Sequence, residues 1–163
     1  MTIVRKEPQL VDMDRIHPNE WNPNEQSEGT FNLLAEEIQE DGFDQPINLV
    51  SCDCDLLDGD HFQIIGGEHR WRICKLYGTE DGKIPAIIHE DWDETEQKLK
   101  TVRRNLLTGD LNPVKFTKLV RELEGTVDRN TMPQLMGFAD DKAFSKYVVE
   151  DKSETDRTFI DSL

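Results

Sequence analysis

The sequence predicts an α+β fold followed by a helical segment, on three observations. Short apolar runs of strand character recur at residues 46–50, 61–65 and 84–88. Stretches with apolar residues at three- and four-residue spacing alternate with them. Beyond Pro113 only helical patterns remain.

Residues 11–16 alternate apolar and polar side chains and predict a short strand. The stretch 17–24, dense in Pro and Asn, predicts a loop. Phe31, Leu34, Ala35 and Ile38 share one helical face, with Thr30 as the expected cap and Gly42 as the stop. The strand at 46–50 is followed by an acidic turn at 52–60, a second strand at 61–65, and a helix from Glu68 to Leu76 ended by Gly78. A third strand covers 84–88, and Pro85 places its start near a sheet edge. Helix is expected from about residue 96 to Leu107. Pro113 opens another, with an apolar stripe of Val114, Thr117, Leu119, Val120 and Leu123. Residues 132–149 carry a helix pair around Gly137. The expected divisions are 1–110, 111–150 and a polar tail at 151–163.

Composition narrows the function. A hydrophobic fraction of 36% with three Trp supports a packed core rather than disorder. No apolar run approaches the roughly 18 residues needed to span a bilayer, and the first residues lack a signal-peptide pattern, so a cytoplasmic location with no membrane partner is expected. The formal charge of -15 repels a phosphate backbone, which disfavours DNA binding by the whole surface. Lys98, Lys100, Arg103 and Arg104 are the candidates for a local basic patch, with a solvated helix face as the simpler reading.

The run Ile64-Ile65-Gly66-Gly67-Glu68-His69-Arg70-Trp71-Arg72 carries the sharpest chemistry. A strand, two glycines and a helix place unpaired backbone N–H groups at a helix N-terminus, where they and the helix dipole attract anions. Gly67 allows close approach or positive φ. Arg70 offers a planar donor fork for phosphate, and His69 a further donor. Glu68 can hold a metal ion or orient water. The same residues also suit a plain strand-to-helix turn. Trp71 and Ile73 read as core anchors, and Arg72 as an ion-pair or surface residue.

Three blocks together carry a resemblance. Leu34-Ala35-Glu36-Glu37-Ile38 with Gly42-Phe43-Asp44-Gln45-Pro46-Ile47, then Gly67-Glu68-His69-Arg70-Trp71-Arg72, then Ile84-Pro85-Ala86, resemble the ParB N-terminal domain of the ParB/sulfiredoxin-like superfamily over about residues 10–110. The resemblance implies a small mixed sheet with helices and a nucleotide-binding domain over 1–110. It places a triphosphate, CTP or ATP, against Gly66, Gly67, Glu68, His69 and Arg70, with Gln45 and Pro46 on the pocket wall. Arg104-Asn105-Leu106-Leu107 and Asp110-Leu111-Asn112-Pro113 look similar to a further block, in which Asn105 matches a residue that helps hold magnesium. The implied cofactor is therefore Mg2+, on Glu68 and Asn105. Two departures stand out: Arg104 replaces a magnesium-binding Glu, and His69 replaces an Arg. Sulfiredoxins carry a nucleophilic Cys where this chain has Glu68, which excludes their thiol chemistry.

The leading expectation is nucleotide binding, with Glu68 as the candidate catalytic residue of a nucleoside triphosphatase (a hydrolase), in a DNA-associated, phage or plasmid setting. DNA would be reached through the basic patch or a longer parent chain, and a homodimer is compatible with these features. The alternatives are a metal-dependent DNA nuclease, a small-molecule kinase and an acidic protein-interaction module. Residues 131–138 with 143–146 suit either a helix-turn-helix remnant or a small helical cap, the simpler reading.

Three Cys make a poor disulfide framework. Cys52 and Cys54 with His61 would begin a metal site, but no second close Cys/His pair completes it, so ordinary thiols beside a loop are favoured. His17, His61 and His89 lack the spacing of a catalytic pair or a metal helix and read as loop or strand-end residues. Asp53, Asp55, Asp58 and Asp60 lack the Gly and terminal Glu of a calcium loop.

Overall fold

The computed structural model describes residues 1–106 and 110–149. The elements run β1 (Gln9–Asp12), a 3-10 turn (Met13–Arg15), β2 (Ile16–His17), β3 (Asn24–Glu25), α1 (Glu28–Asp41), β4 (Ile47–Cys52), β5 (His61–Gly66), α2 (Glu68–Tyr77), β6 (Lys83–His89), α3 (Glu94–Asn105), β7 (Asp110–Leu111), α4 (Pro113–Leu123), α5 (Met132–Met136) and α6 (Asp141–Ser145). Contacts gather them into two compact units. The first comprises Met1–Asn19 and Ser27–Trp92; the second comprises Glu20–Gln26 and the chain from Asp93 onward. Helix α3 thus belongs to the second unit, whereas the sequence reading carries the first domain to residue 110. The polar tail read at 151–163 lies outside the described residues.

The first unit is built on a mixed five-stranded sheet in the order β1-β6-β4-β5-β2. β1 is antiparallel to β6, β6 parallel to β4, β4 antiparallel to β5, and β5 parallel to β2. Ile47, Leu49, Ile64, Ile84 and Ala86 are buried in its core. Fully burying one Ile or Leu side chain contributes about 1.5–3 kcal/mol.

Three local readings change. The alternating stretch at 11–16 is two strands parted by the 3-10 turn, because Asp12 accepts a bond from the Asp14 N–H at 2.9 Å and bends the chain. Helix α1 is capped by Ser27, whose hydroxyl accepts from the Thr30 N–H at 3.2 Å, so Thr30 lies inside the helix. Pro85 lies in an interior strand rather than near an edge. It pairs with Leu10 on one side, while the ladder to β4 begins only at Ala86, so the missing N–H falls outside that ladder. Gly42, with φ +84°, ends α1 as expected, its N–H donating to the Ile38 carbonyl at 2.9 Å.

The second unit is helical apart from the β3–β7 ribbon, in which Asn24 pairs with Leu111 and Glu25 with Asp110. Asn112 caps α4 by accepting the Lys115 N–H, with Pro113 in the first turn. The inward face of α4 holds Phe116, Thr117, Leu119, Val120 and Leu123; Val114 is only half-buried. Helices α5 and α6 are five residues each, and Met132, Met136, Phe138 and Phe144 pack with Phe116. These residues of the supposed helix-turn-helix serve packing. Among the described residues no helix is long and apolar enough to cross a membrane.

Candidate functional site

The turn from β5 to α2 takes its shape from Gly67, whose φ of +94° and ψ of +23° lie in the left-handed region. A Cβ there would come within 2.6 Å of Ile47 Cγ2 and 3.0 Å of Arg70 Nη2. No side chain caps α2. Its first backbone bond runs from the Trp71 N–H to the Gly67 carbonyl at 3.0 Å. The N–H groups of Glu68, His69 and Arg70 therefore precede the helical ladder and have no i−4 carbonyl within it. With the positive end of the helix dipole, they make an anion-receptive turn.

Arg70 reaches across this turn to the start of β4. Its Nη1 donates to the Gln45 carbonyl at 2.8 Å, to Gln45 Oε1 at 3.3 Å and to the Pro46 carbonyl at 3.5 Å. Gln45, Pro46, Gly67 and Arg70 are thus brought together. Burial pulls the Arg70 guanidinium below its ordinary value, and the Asp44 carboxylate opposes that shift. The adjoining cleft, bordered by Glu37, Asp41, Asp44 and Gln45, holds only about 90 Å³. Ligand pockets run to about 300–1,000 Å³, so this cleft is smaller than a typical ligand pocket.

Glu68 and His69 flank the same helix start. Arg72 Nη2 donates to Glu68 Oε1 at 3.1 Å, an i,i+4 ion pair with the Glu68 side chain 13% exposed. Arg72 is therefore an ion-pair residue, as the sequence suggested. His69 packs edge-on against Phe31 at 6.3 Å. Burial holds His69 below its ordinary value, Glu68 pulls it upward, and Arg72 lowers it further. A neutral His69 adds a donor or acceptor to the turn but no charge. Ile73 is buried, and Trp71 packs against the core of the sheet.

Asn105 lies in the other unit, buried at the end of α3, where its Nδ2 donates to Asn22 Oδ1 at 2.7 Å. In that unit Lys98 is not available as part of a basic patch. Its ammonium pairs with Glu94 and Glu122, each at 3.1 Å, and lies 6.0 Å from the Trp21 ring. These bonds raise its pKa against the opposing effect of burial. Arg103 packs its stem near Gly137.

Two elements of the site escape a reading of local sequence: Ile47, which closes the space above Gly67, and Asp44, which faces Arg70. Elsewhere in the first unit, His17 joins Cys52, Cys54 and His61 in one cluster. Cys52 and Cys54 are joined there as a disulfide, rather than standing as separate thiols.

Comparison with known proteins gives a consistent family. The family model of the ParB N-terminal domain matches residues 2–105. The probable chromosome-partitioning protein ParB of Rickettsia typhi is 33% identical over 126 residues, which is 74% of this chain and 40% of that protein. Its counterpart in Xylella fastidiosa (strain Temecula1) is 31% identical over 110 residues, 67% of this chain and 33% of that protein. The chain thus spans two fifths or less of the length of these relatives. Among solved structures, the C-terminally truncated chromosome-partitioning protein ParB from Caulobacter crescentus complexed with CTP-γ-S aligns with a TM-score of 0.52 at 21% identity, over 81% of this chain and 72% of the other. The form complexed to the centromeric parS site aligns with a TM-score of 0.55 at 18% identity, over 88% and 70%. At these identities the likeness concerns the fold.

Proposed function

Because this chain belongs to the ParB N-terminal domain family, we propose that its β5–α2 turn binds the phosphates of a nucleoside triphosphate, CTP or ATP, in a DNA-associated setting. The observation that carries this is the left-handed Gly67, which opens the start of α2 while Arg70 is held at the same turn. The Caulobacter relative complexed with CTP-γ-S supports the choice of ligand class.

Gly66, Gly67 and the following N–H groups take phosphate oxygens, and Arg70 supplies the fixed positive charge. Gln45 and Pro46 hold the guanidinium through their carbonyls. Glu68 offers carboxylate oxygen donors, the class that magnesium takes, and is the proposed holder of Mg2+ beside the triphosphate. When bound, the cation neutralises phosphate charge. Glu68 is also the candidate to orient a water, a role that would make the domain a nucleoside triphosphatase. The formal charge of -15 and the neutralised Lys98 disfavour direct contact with a DNA backbone. The proposed DNA association therefore belongs to a longer parent chain, and the Caulobacter relative complexed to the parS site supports DNA as the class of partner.

Titration with fluorescent CTP and ATP in magnesium tests the proposal, wild type against Arg70→Ala. Saturable binding that Arg70→Ala weakens at least about tenfold is expected, a loss of about 1.4 kcal/mol. Absence of saturable binding of either nucleotide to the wild type rejects it.

A further inference from the structure

Away from the glycine turn, His17, Cys52, Cys54 and His61 place four potential metal-ligating atoms within 4.8 Å of one another. The Cys54 sulfur lies 3.6 Å from His17 Nε2 and 3.8 Å from His61 Nε2. Zinc bonds of about 2.3 Å to sulfur and 2.0–2.1 Å to nitrogen set neighbouring S and N donors of a tetrahedron about 3.5 Å apart. We propose that, with Cys52 and Cys54 reduced, these four side chains form a tetrahedral Cys2His2 site for Zn2+.

The surroundings suit this assignment. His17 Nδ1 donates to the Pro18 carbonyl at 3.2 Å, which fixes the tautomer and leaves the Nε2 lone pair facing the cluster. The Cys54 N–H donates to the Cys52 sulfur at 3.4 Å. His61 is 3% exposed, and its Nδ1 has no partner. Its Nε2 is the ring nitrogen on the Cys54 side, 3.8 Å from that sulfur, and is the atom offered to zinc. Arg15 pins the connecting loop by donating to the Asp58 carbonyl.

Two thiolates and two neutral imidazoles cancel the charge of Zn2+, so the complex is neutral. S2N2 tetrahedra select zinc over the hard oxygen-seeking cations. The disulfide that joins Cys52 to Cys54 encloses a single residue, Asp53, and so constrains the unfolded chain little. A thiol or phosphine reductant opens it by supplying two electrons, with two protons taken up to give two thiols. Zinc then displaces those two thiol protons to solvent.

The test uses the full chain, reduced with a phosphine, loaded with zinc and dialysed against metal-free buffer. Elemental analysis is expected to return one zinc per chain. Cobalt in its place is expected to show a thiolate-to-metal charge-transfer band and intense tetrahedral d–d bands. Cys54→Ser and His17→Gln should each weaken zinc by more than the roughly 10- to 100-fold that loss of an outer-shell partner costs. Far-ultraviolet circular dichroism checks that each variant folds. A folded, reduced wild type that retains no zinc and shows no charge-transfer band with cobalt overturns the proposal. So does zinc retained at full affinity by Cys54→Ser.

Discussion

Ile47 Cγ2 occupies the space that a side chain at Gly67 would need, 2.6 Å from the position of its Cβ. The left-handed backbone at Gly67 adds a second penalty for any L residue. Gly67→Ala should therefore destabilise the protein by about 2–4 kcal/mol in urea unfolding, strain and overpacking combined. Gly66→Ala is the control. Its Cβ would lie 3.5 Å from Asn48 Nδ2, ordinary contact, and its cost should stay near 1 kcal/mol or less. Equal losses for the two substitutions would remove the steric account of the turn.

What sequence reveals here is what neighbours in the chain determine. The β5–Gly67–α2 turn and the stops at Gly42 and Gly78 follow from residues within one turn of each other. The order β1-β6-β4-β5-β2 does not, because β1 finds its partner 71 to 77 positions away, from Asp12↔Lys83 to Gln9↔Ala86. The β3–β7 ribbon was missed for the same reason, two-residue strands having no periodicity to read. His17 ends β2, in keeping with its reading as a loop or strand-end residue, but its meeting with Cys52 and Cys54 is not legible locally because they lie 35 or more positions away. Local sequence offers Lys98 either a solvated helix face or a basic patch, because the Glu122 that holds it comes from another helix.

The depressed pKa of His69 makes nucleotide binding and stability respond to acid in opposite directions. Its folded value lies below the ordinary 6.5, so the unfolded chain binds the proton more readily. His69 then costs no stability above about pH 6.5, and its contribution is lost as pH falls from there through the folded value. His69→Gln should flatten that part of the Tm–pH profile. A protonated His69 at the start of α2 adds positive charge, so CTP or ATP should bind more tightly once pH falls below the folded His69 value than at pH 7.5. If His69→Gln binds with the same pH dependence as the wild type, another group is responsible.

Lys98 is expected to act in stability and not in DNA binding. Its side chain is 12% exposed, whereas those of Glu94 and Glu122 are 81% and 40% exposed. Removing the ammonium therefore leaves carboxylates that water can still reach, and Lys98→Met should cost only about 1–2 kcal/mol. The raised folded pKa means this contribution is complete below the ordinary lysine value of 10.5 and is lost as pH rises through the folded one. Any DNA affinity, measured by salt-dependent anisotropy, should be unchanged in the variant. A drop in affinity with a smaller salt slope would return Lys98 to the phosphate-contacting set.

The second unit depends on an aromatic cluster that no charge pattern can replace. Phe116 and Phe144 are both fully buried, with ring centroids 5.5 Å apart in an edge-to-face arrangement, and Phe138 lies 5.4 Å from Phe144. Helix α6 is only five residues long, too short to hold its shape by backbone bonding alone, so its position rests on the Phe144 side chain. Phe144→Ala removes that anchor and opens a cavity, at a cost of about 3–5 kcal/mol. Hydrogen exchange should show loss of protection concentrated in α4, α5 and α6, while the amides of β4 and β5 keep theirs. Uniform loss across both units would mean that they unfold as one cooperative body. Retention of triphosphate binding by Phe144→Ala would then separate the phosphate turn of the first unit from the packing of the second.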